Sequence, residues 1–147
     1  MIMNEAVKIM DQFFQGMLEN NIEQWMTIWH KDAVFEIPYA PSGVLTKLEG
    51  DEAIYNHVKD FPGKINFTRF SEPNYYPVEG QNTVIVEFEC EAVILETGLP
   101  YNQKYISVIE YEDGKILRYK DYWNPLIFIG AYNNEPQAFL KFLKRSQ

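Results

Sequence analysis

The chain has 147 residues, 46% of them hydrophobic and 16% aromatic, and a formal net charge of −8. That length and apolar content give one domain with a substantial core and exclude a disordered chain. The acidic balance argues against nucleic acid or anionic membranes as partners, since both would repel it, and the lone cysteine, Cys90, excludes an intrachain disulfide.

The N-terminus, Met1-Ile2-Met3-Asn4-Glu5, lacks the basic region and apolar run of a secretion signal. The longest apolar stretch, around Leu126 to Ile129, is far too short to span a bilayer. A soluble cytoplasmic protein is therefore the expectation. Val7, Met10, Phe13, Phe14, Met17 and Leu18 recur at helical spacing and define a first helix. Asn20-Asn21 interrupts it, and Asn21 with Gln24 resembles a capping box for a second helix. That helix carries Ile22, Trp25, Met26 and Trp29 and ends near His30, which would complement the helix dipole there. Ala33 to Ile37 reads as a short strand, followed by a loop from Pro38 to Gly43. A third helix is predicted from Asp51 to Phe61, closed by Pro62-Gly63.

The pattern then changes to strands: Ile65 to Val78, Thr83 to Glu96, Tyr101 to Tyr111 and Lys115 to Asn124. Pro73 and Pro77 place the first of these at a sheet edge, at least at its far end. A closing helix is predicted from Pro136 through Leu143. Helices, then a meander, then a helix is the α+β class, here a single domain over residues 1–147.

Asp113-Gly114 favours a two-residue type I′ turn, which fixes a register. Glu112 then pairs with Lys115, Tyr111 with Ile116, Val108 with Tyr119 and Ile106 with Asp121. On the preceding strand Val84, Val86, Phe88, Cys90, Ala92 and Ile94 share one face, and Glu87, Glu89 and Glu91 the other. Buried glutamates in a row are costly, so the even-numbered face is inward. Joining it to Ile106 and Val108 requires a loop of three or five residues around Gly98, and Cys90 is then expected close to Ile106 and Asp121.

Asp121 carries the chemistry. Alternation turns it into the same apolar interior as Leu117, Tyr119 and Trp123. A carboxylate among aromatic rings is costly unless paired, hydrogen-bonded or protonated. Its proton affinity is expected to rise, which suits acid–base work near neutrality. Its neighbours Arg118 and Lys120 fall on other faces, so any salt-bridge partner must come from elsewhere. His57 shares a helical stripe with Ile54, Val58 and Phe61, either as an acid–base partner of Asp121 or as a core histidine bonded to a backbone carbonyl. Among the ten tyrosines, Tyr39, Tyr75, Tyr76, Tyr105 and Tyr119 offer hydroxyls for a developing oxyanion, or are ordinary packing residues. Trp25, Trp29 and Trp123 read as core or as ligand platform, and Cys90 as a small buried hydrophobe. The histidines and the cysteine have no zinc spacing, and no phosphate loop or calcium loop is present.

The order of elements, the loop from Pro38 to Gly43, the Thr97-Gly98-Leu99-Pro100-Tyr101-Asn102 turn and the ending Asp121-Tyr122-Trp123-Asn124-Pro125 resemble the SnoaL-like, ketosteroid-isomerase-related branch of the nuclear transport factor 2-like superfamily. The phenazine-biosynthesis A/B proteins are the nearest members, and the resemblance covers roughly residues 5–134. It implies a cystatin-like, curved antiparallel sheet wrapped by N-terminal helices into a cone, with a cavity at the open end and a homodimer built on the sheet. Those phenazine proteins place an acid before an aromatic residue or methionine and Asn-Pro, matching Asp121, and a histidine seven residues after a helix-opening glycine, matching Gly50 and His57. Here the acid is Asp rather than Glu, one methylene shorter.

The resulting expectation is acid–base catalysis of isomerase, cyclase or condensation type, a proton transfer next to a carbonyl of a small, apolar, cyclic substrate, without cofactor or metal. Asp121 and His57 would be catalytic, and Tyr39, Tyr105, Tyr119, Trp123, Phe88 and Trp29 would hold the substrate. The alternative is a non-catalytic ligand-binding or dimerisation domain on the same scaffold.

Overall fold

The computed structural model describes residues 2–132. Two helices, α1 (Ile2–Leu18) and α2 (Ile22–Met26), precede strands β1 (Trp29–Glu36) and β2 (Lys47–Glu49) and helix α3 (Asp51–Val58). A 3₁₀ turn (Phe61–Gly63) leads into β3 (Ile65–Phe70), β4 (Asn74–Pro77), β5 (Thr83–Ile94), β6 (Lys104–Glu112) and β7 (Lys115–Trp123), and α4 (Pro125–Tyr132) follows. The sheet order is β2-β1-β7-β6-β5-β3, with β4 also paired to β5. All pairings are antiparallel except β1 with β7. This is an α+β fold with a curved, unclosed sheet, as expected. The closing helix predicted from Pro136 lies outside the described residues.

Local chemistry explains most element ends. Gln24 N donates to Asn21 Oδ1 at 3.1 Å, so the capping pair holds as read. The second helix stops at Met26, earlier than predicted, because Trp29 is recruited into β1 beside β7. His30 is therefore a strand residue, not a helix-terminal one, and its Nδ1 accepts from Asp32 N. The long strand from Ile65 breaks before Pro73, where Ser71 Oγ accepts from Glu89 N in place of a ladder bond. Both pieces stay on β5.

The register of β6 on β7 differs from the sequence expectation. Asp113 and Gly114 have φ of 51° and 76°, as a type I′ turn needs, and Glu112 and Tyr111 pair as predicted. Beyond Ile116 the pairing slips: Glu110 faces Arg118, Ile109 faces Tyr119 and Ser107 faces Asp121. Leu117 is the extra, bulged residue. Ile106 consequently points outward and is 45% exposed, while Ser107 is fully buried. The β5–β6 loop follows the same parity. Ile94 N bonds Leu99 O, leaving four loop residues rather than three or five. Cys90 is then opposite Gln103, near Tyr105, and not beside Ile106.

The even-numbered face of β5 is inward as argued, and the three glutamates face out. Val84, Val86, Phe88, Ile109, Ile116 and Tyr119 pack under Ala6, Ile9, Met10 and Phe14 of α1 in one core. Helix α1 meets α2 through Gly16, where an added Cβ would lie 2.8 Å from Trp25 Cβ and 3.3 Å from its Cα. Neither atom can rotate away. Gly16→Ala should gain about 1 kcal/mol of helix propensity but lose about 1–3 kcal/mol to overpacking, a net destabilisation visible as a lower urea midpoint. A raised midpoint would show that the two helices pack more loosely than described.

Candidate active site

Between the inner sheet face and the helices lies a cavity of about 270 Å³. Its wall is aromatic and aliphatic: Phe13 and Met17 from α1, Trp25 from α2, Val58 from α3, and Phe67, Phe70 and Phe88 from the strands. Phe128 and Tyr132 of α4 close one side. The polar lining is sparse and specific, comprising Asp121, His57, Lys64 and the tyrosines 101, 105, 119 and 132. A pocket with mostly apolar walls and a few convergent polar groups is the general form of a small-molecule site.

Asp121 reaches this interior because the bulge at Leu117 resets alternation, so that Ile116, Tyr119, Asp121 and Trp123 all face in. The interior companion at the hairpin end is thus Ile116, not Leu117. The Asp121 carboxylate forms no ion pair among the described residues. Its hydrogen-bond donor is Ser107 Oγ, 3.5 Å from Oδ1, and Ser107 also contacts the Tyr119 hydroxyl at 2.8 Å. Burial in this apolar wall pushes the carboxyl up to about 7, and the Ser107 bond opposes that rise. Burial raises the phenols of Tyr101, Tyr105 and Tyr119, and the nearby Asp121 charge adds to the rise, so they stay protonated.

His57 lines the same cavity, in edge contact with Phe61 at 5.3 Å. Burial and then the nearby Lys64 ammonium lower its pKa below 6.5, so the ring is neutral near neutrality. No hydrogen bond or ion pair joins it to Asp121. The two groups share a hollow without touching.

Of the other residues read as substrate contacts, Tyr105, Tyr119, Trp123 and Phe88 line the cavity. Trp29 lies behind it, fully buried against Trp25, Phe35 and Tyr119. Tyr39 is 60% exposed and packs edge-on against Tyr122 on the outer side of β7. Tyr76 is exposed on β4, and Tyr75 is not part of the lining. Sequence reading missed Ser107, Tyr101 and Gln103. The buried Gln103 side chain accepts from Asn124 N and Lys104 N through Oε1 and donates from Nε2 to Asn124 O and the Tyr101 hydroxyl. Its only signal was a polar residue at an inward position, visible once the register is known. No group of three or more His, Cys, Asp or Glu among the described residues could hold a metal ion. No helix among them is long and apolar enough to cross a membrane.

The SnoaL-like domain model matches residues 10–119, ending just before Asp121. The Bacillus subtilis (strain 168) protein YesE, itself uncharacterised, is 47% identical over 90% of this chain and 92% of its own length. The uncharacterised PhzA/B-like protein PA3332 of Pseudomonas aeruginosa is 39% identical over 78% of this chain and 82% of its own. A crystal structure from Bacillus subtilis, provisionally described as an isomerase, superposes with a TM-score of 0.88 at 45% identity, covering 90% of this chain and 95% of that one. An NTF2-like protein from Burkholderia xenovorans shares the fold at TM-score 0.71 and 18% identity, over 88% and 97% of the two chains. The chain belongs to the SnoaL-like domain family and has the fold of the NTF2-like protein.

The raised Asp121 carboxyl has a consequence for stability. The folded state holds this proton more tightly than the unfolded chain, whose value stays near 3.8. Its contribution is complete below about pH 4 and is lost as pH rises toward 7, by on the order of 3–4 kcal/mol. Asp121→Asn removes the charge at nearly constant shape. Its urea midpoint should match wild type at pH 4 and exceed it at pH 8. Equal midpoints at both would show the carboxylate to be well solvated.

Proposed function

We propose that the protein is an isomerase- or cyclase-type acid–base catalyst that moves a proton next to a carbonyl of a small cyclic substrate. The observation that carries this reading is the Asp121 carboxyl, raised to about 7 by burial in an aromatic cavity and without an ion-pair partner among the described residues. A general base works best when its pKa lies near the operating pH. Such an environment has a stability cost. Kinship supports the same reading, since a structure 45% identical over most of both chains is described, provisionally, as an isomerase.

In this reading Asp121 takes the proton from the carbon beside the carbonyl. The electron pair moves to the oxygen, and a tyrosine hydroxyl donates to the enolate. Tyr105 and Tyr119 are the candidates, both on the wall and both close to Asp121. Neutral His57, which lines the same hollow, assists as acceptor or donor toward the substrate. A cavity of roughly 150 Å³ holds benzene, so about 270 Å³ suits a substituted single ring or a compact bicycle. We also assign a homodimer to the outer sheet face, where Ile106 and Tyr76 are 45% and 52% exposed.

The test is exchange of α-protons of cyclic ketones for deuterium, followed by NMR. Wild type should accelerate exchange with a rate that rises through about pH 7, where Asp121 ionises. Asp121→Asn should lose about a hundred- to ten-thousandfold while keeping its fold. Full activity in that variant, on a substrate wild type turns over, removes Asp121 from the mechanism. For the dimer, light scattering should give twice the chain mass of 17.3 kDa, falling to the monomer in Ile106→Glu. A monomeric wild type refutes the assignment.

A further inference from the structure

Ser107 is a fully buried hydroxyl with one proton and two neighbours, the Tyr119 hydroxyl at 2.8 Å and Asp121 Oδ1 at 3.5 Å. A carboxylate only accepts, whereas serine and tyrosine hydroxyls can donate or accept. Two hydroxyl protons are thus shared among three oxygens, and the charge on Asp121 decides the arrangement. When Asp121 is ionised, Ser107 donates to Oδ1 and Tyr119 donates to Ser107. When Asp121 is protonated it carries a third proton and becomes a donor toward Ser107 Oγ, so Ser107 turns its own proton to the nearer Tyr119 oxygen. The Tyr119 proton must then leave the Ser107 axis. Its ring is held by stacking on Phe13 and Phe35, at 5.5 and 5.2 Å, so only the hydroxyl can turn. Tyr119 lines the cavity.

We propose that Ser107 and Tyr119 form a hydroxyl switch set by Asp121: with the acid ionised both protons point back toward it, and with the acid protonated Tyr119 turns its O–H into the cavity, onto the substrate oxygen. The role of Tyr119 toward substrate rests on the proton-transfer reading, while the switch itself belongs to the empty site. No proton is exchanged between the hydroxyls; they only rotate. The substrate proton goes to Asp121, the electron pair goes to the carbonyl oxygen, and the donor arrives as the negative charge forms. Ser107 is a positioning residue in this scheme, acting through its neighbours.

Other groups around Asp121 do not compete. Tyr105 on β6, Cys90 on β5 and Tyr101 in the segment before β6 feel its charge, but burial raises all three, so they remain neutral while Asp121 titrates. His57 and Lys64 line the cavity but play no part in the Asp121 shift.

The experiment is ¹³C NMR of the wild-type protein labelled at aspartate carboxyls and tyrosine Cζ, titrated through pH 7. Tyr119 Cζ should move with the Asp121 carboxyl at one shared midpoint, and show no transition in Asp121→Asn. In Ser107→Ala the Asp121 midpoint should rise, because a donor to the charged form is gone, and Tyr119 should no longer follow it. Ser107→Thr, which keeps the hydroxyl, should restore the coupling. A Tyr119 signal that is flat in wild type overturns the switch. So does one that still follows Asp121 in Ser107→Ala, which would mean the charge is felt directly through space. Loss of the catalytic reading would look different: Asp121→Asn would retain exchange activity while the wild-type coupling persisted.

Discussion

Strand β7 must bury Ile116 near the hairpin and Tyr119, Asp121 and Trp123 farther on, and these two sets have opposite parity in an alternating strand. Pairing that ran unbroken from Tyr111 and Ile116 would bring Arg118 and Lys120 inward and turn Asp121 out to solvent. Absorbing Leu117 as a bulge resolves the conflict: the two cations stay outside, and the acid enters the apolar face. The neighbouring β1 is irregular over the same stretch, between Trp29 and Val34, so the bend is shared by two adjacent strands. Because β6 carries no compensating insertion there, it is Ser107 and not Ile106 that meets Asp121. Both the location of the acid and its hydrogen-bond donor follow from one extra residue.

The cost of that placement is met by the aromatic box around it. Phe13, Phe35 and Trp29 hold Tyr119 in stacked and tilted contacts, and Trp25 bridges Phe13 and Trp29. Phe14, Phe70, Phe88 and Tyr105 form a second chain of rings across β5 and β6. Rings in mutual contact have little freedom, so the wall around the half-buried Asp121 is held in place. The same rigidity makes hydroxyl rotation, rather than side-chain motion, the available response to a change of charge.

How much of this could be read beforehand depended on the range of the physics involved. Periodicity and turn chemistry are local, and they located α1, α3, the inward face of β5 and the Asp113-Gly114 hairpin. The inward turn of Asp121 was also legible, because its flanking Tyr119 and Trp123 demand burial. Its partner was not: a bulge leaves no composition signal, and a count from the hairpin cannot see it. Tyr39 and Trp29 show the opposite failure. Both are aromatic and near the right elements, yet one packs outside on Tyr122 and the other fills the core behind the wall. Whether a ring faces a hollow depends on tertiary packing, which residue type does not encode. Helix α4 was overlooked because its eight residues, apolar on nearly every side, have no amphipathic period to detect.

The ending Asp121-Tyr122-Trp123-Asn124-Pro125, on which the family resemblance rested, divides into a chemical half and an architectural half. Asp121 and Trp123 face the cavity. Asn124 does not, and its backbone N–H and C=O are both held by the buried Gln103 side chain, much as a neighbouring strand would hold them. Its own Oδ1 accepts from Leu126 N, capping α4, and Pro125 needs no donor at the first helical position. The far end of α4 is tied by Thr97 Oγ1 donating to Ala131 O at 2.6 Å, from the β5–β6 loop. Fixed at both ends, the helix presents Phe128 against Trp123 and Tyr101 as one wall of the hollow. Gln103 also donates from Nε2 to the Tyr101 hydroxyl oxygen, fixing that phenol on the same wall. One buried amide thus closes the cavity through α4 and anchors the Tyr101 hydroxyl on its wall, so the Asn-Pro pair and the aspartate three residues earlier act on the same space by different means.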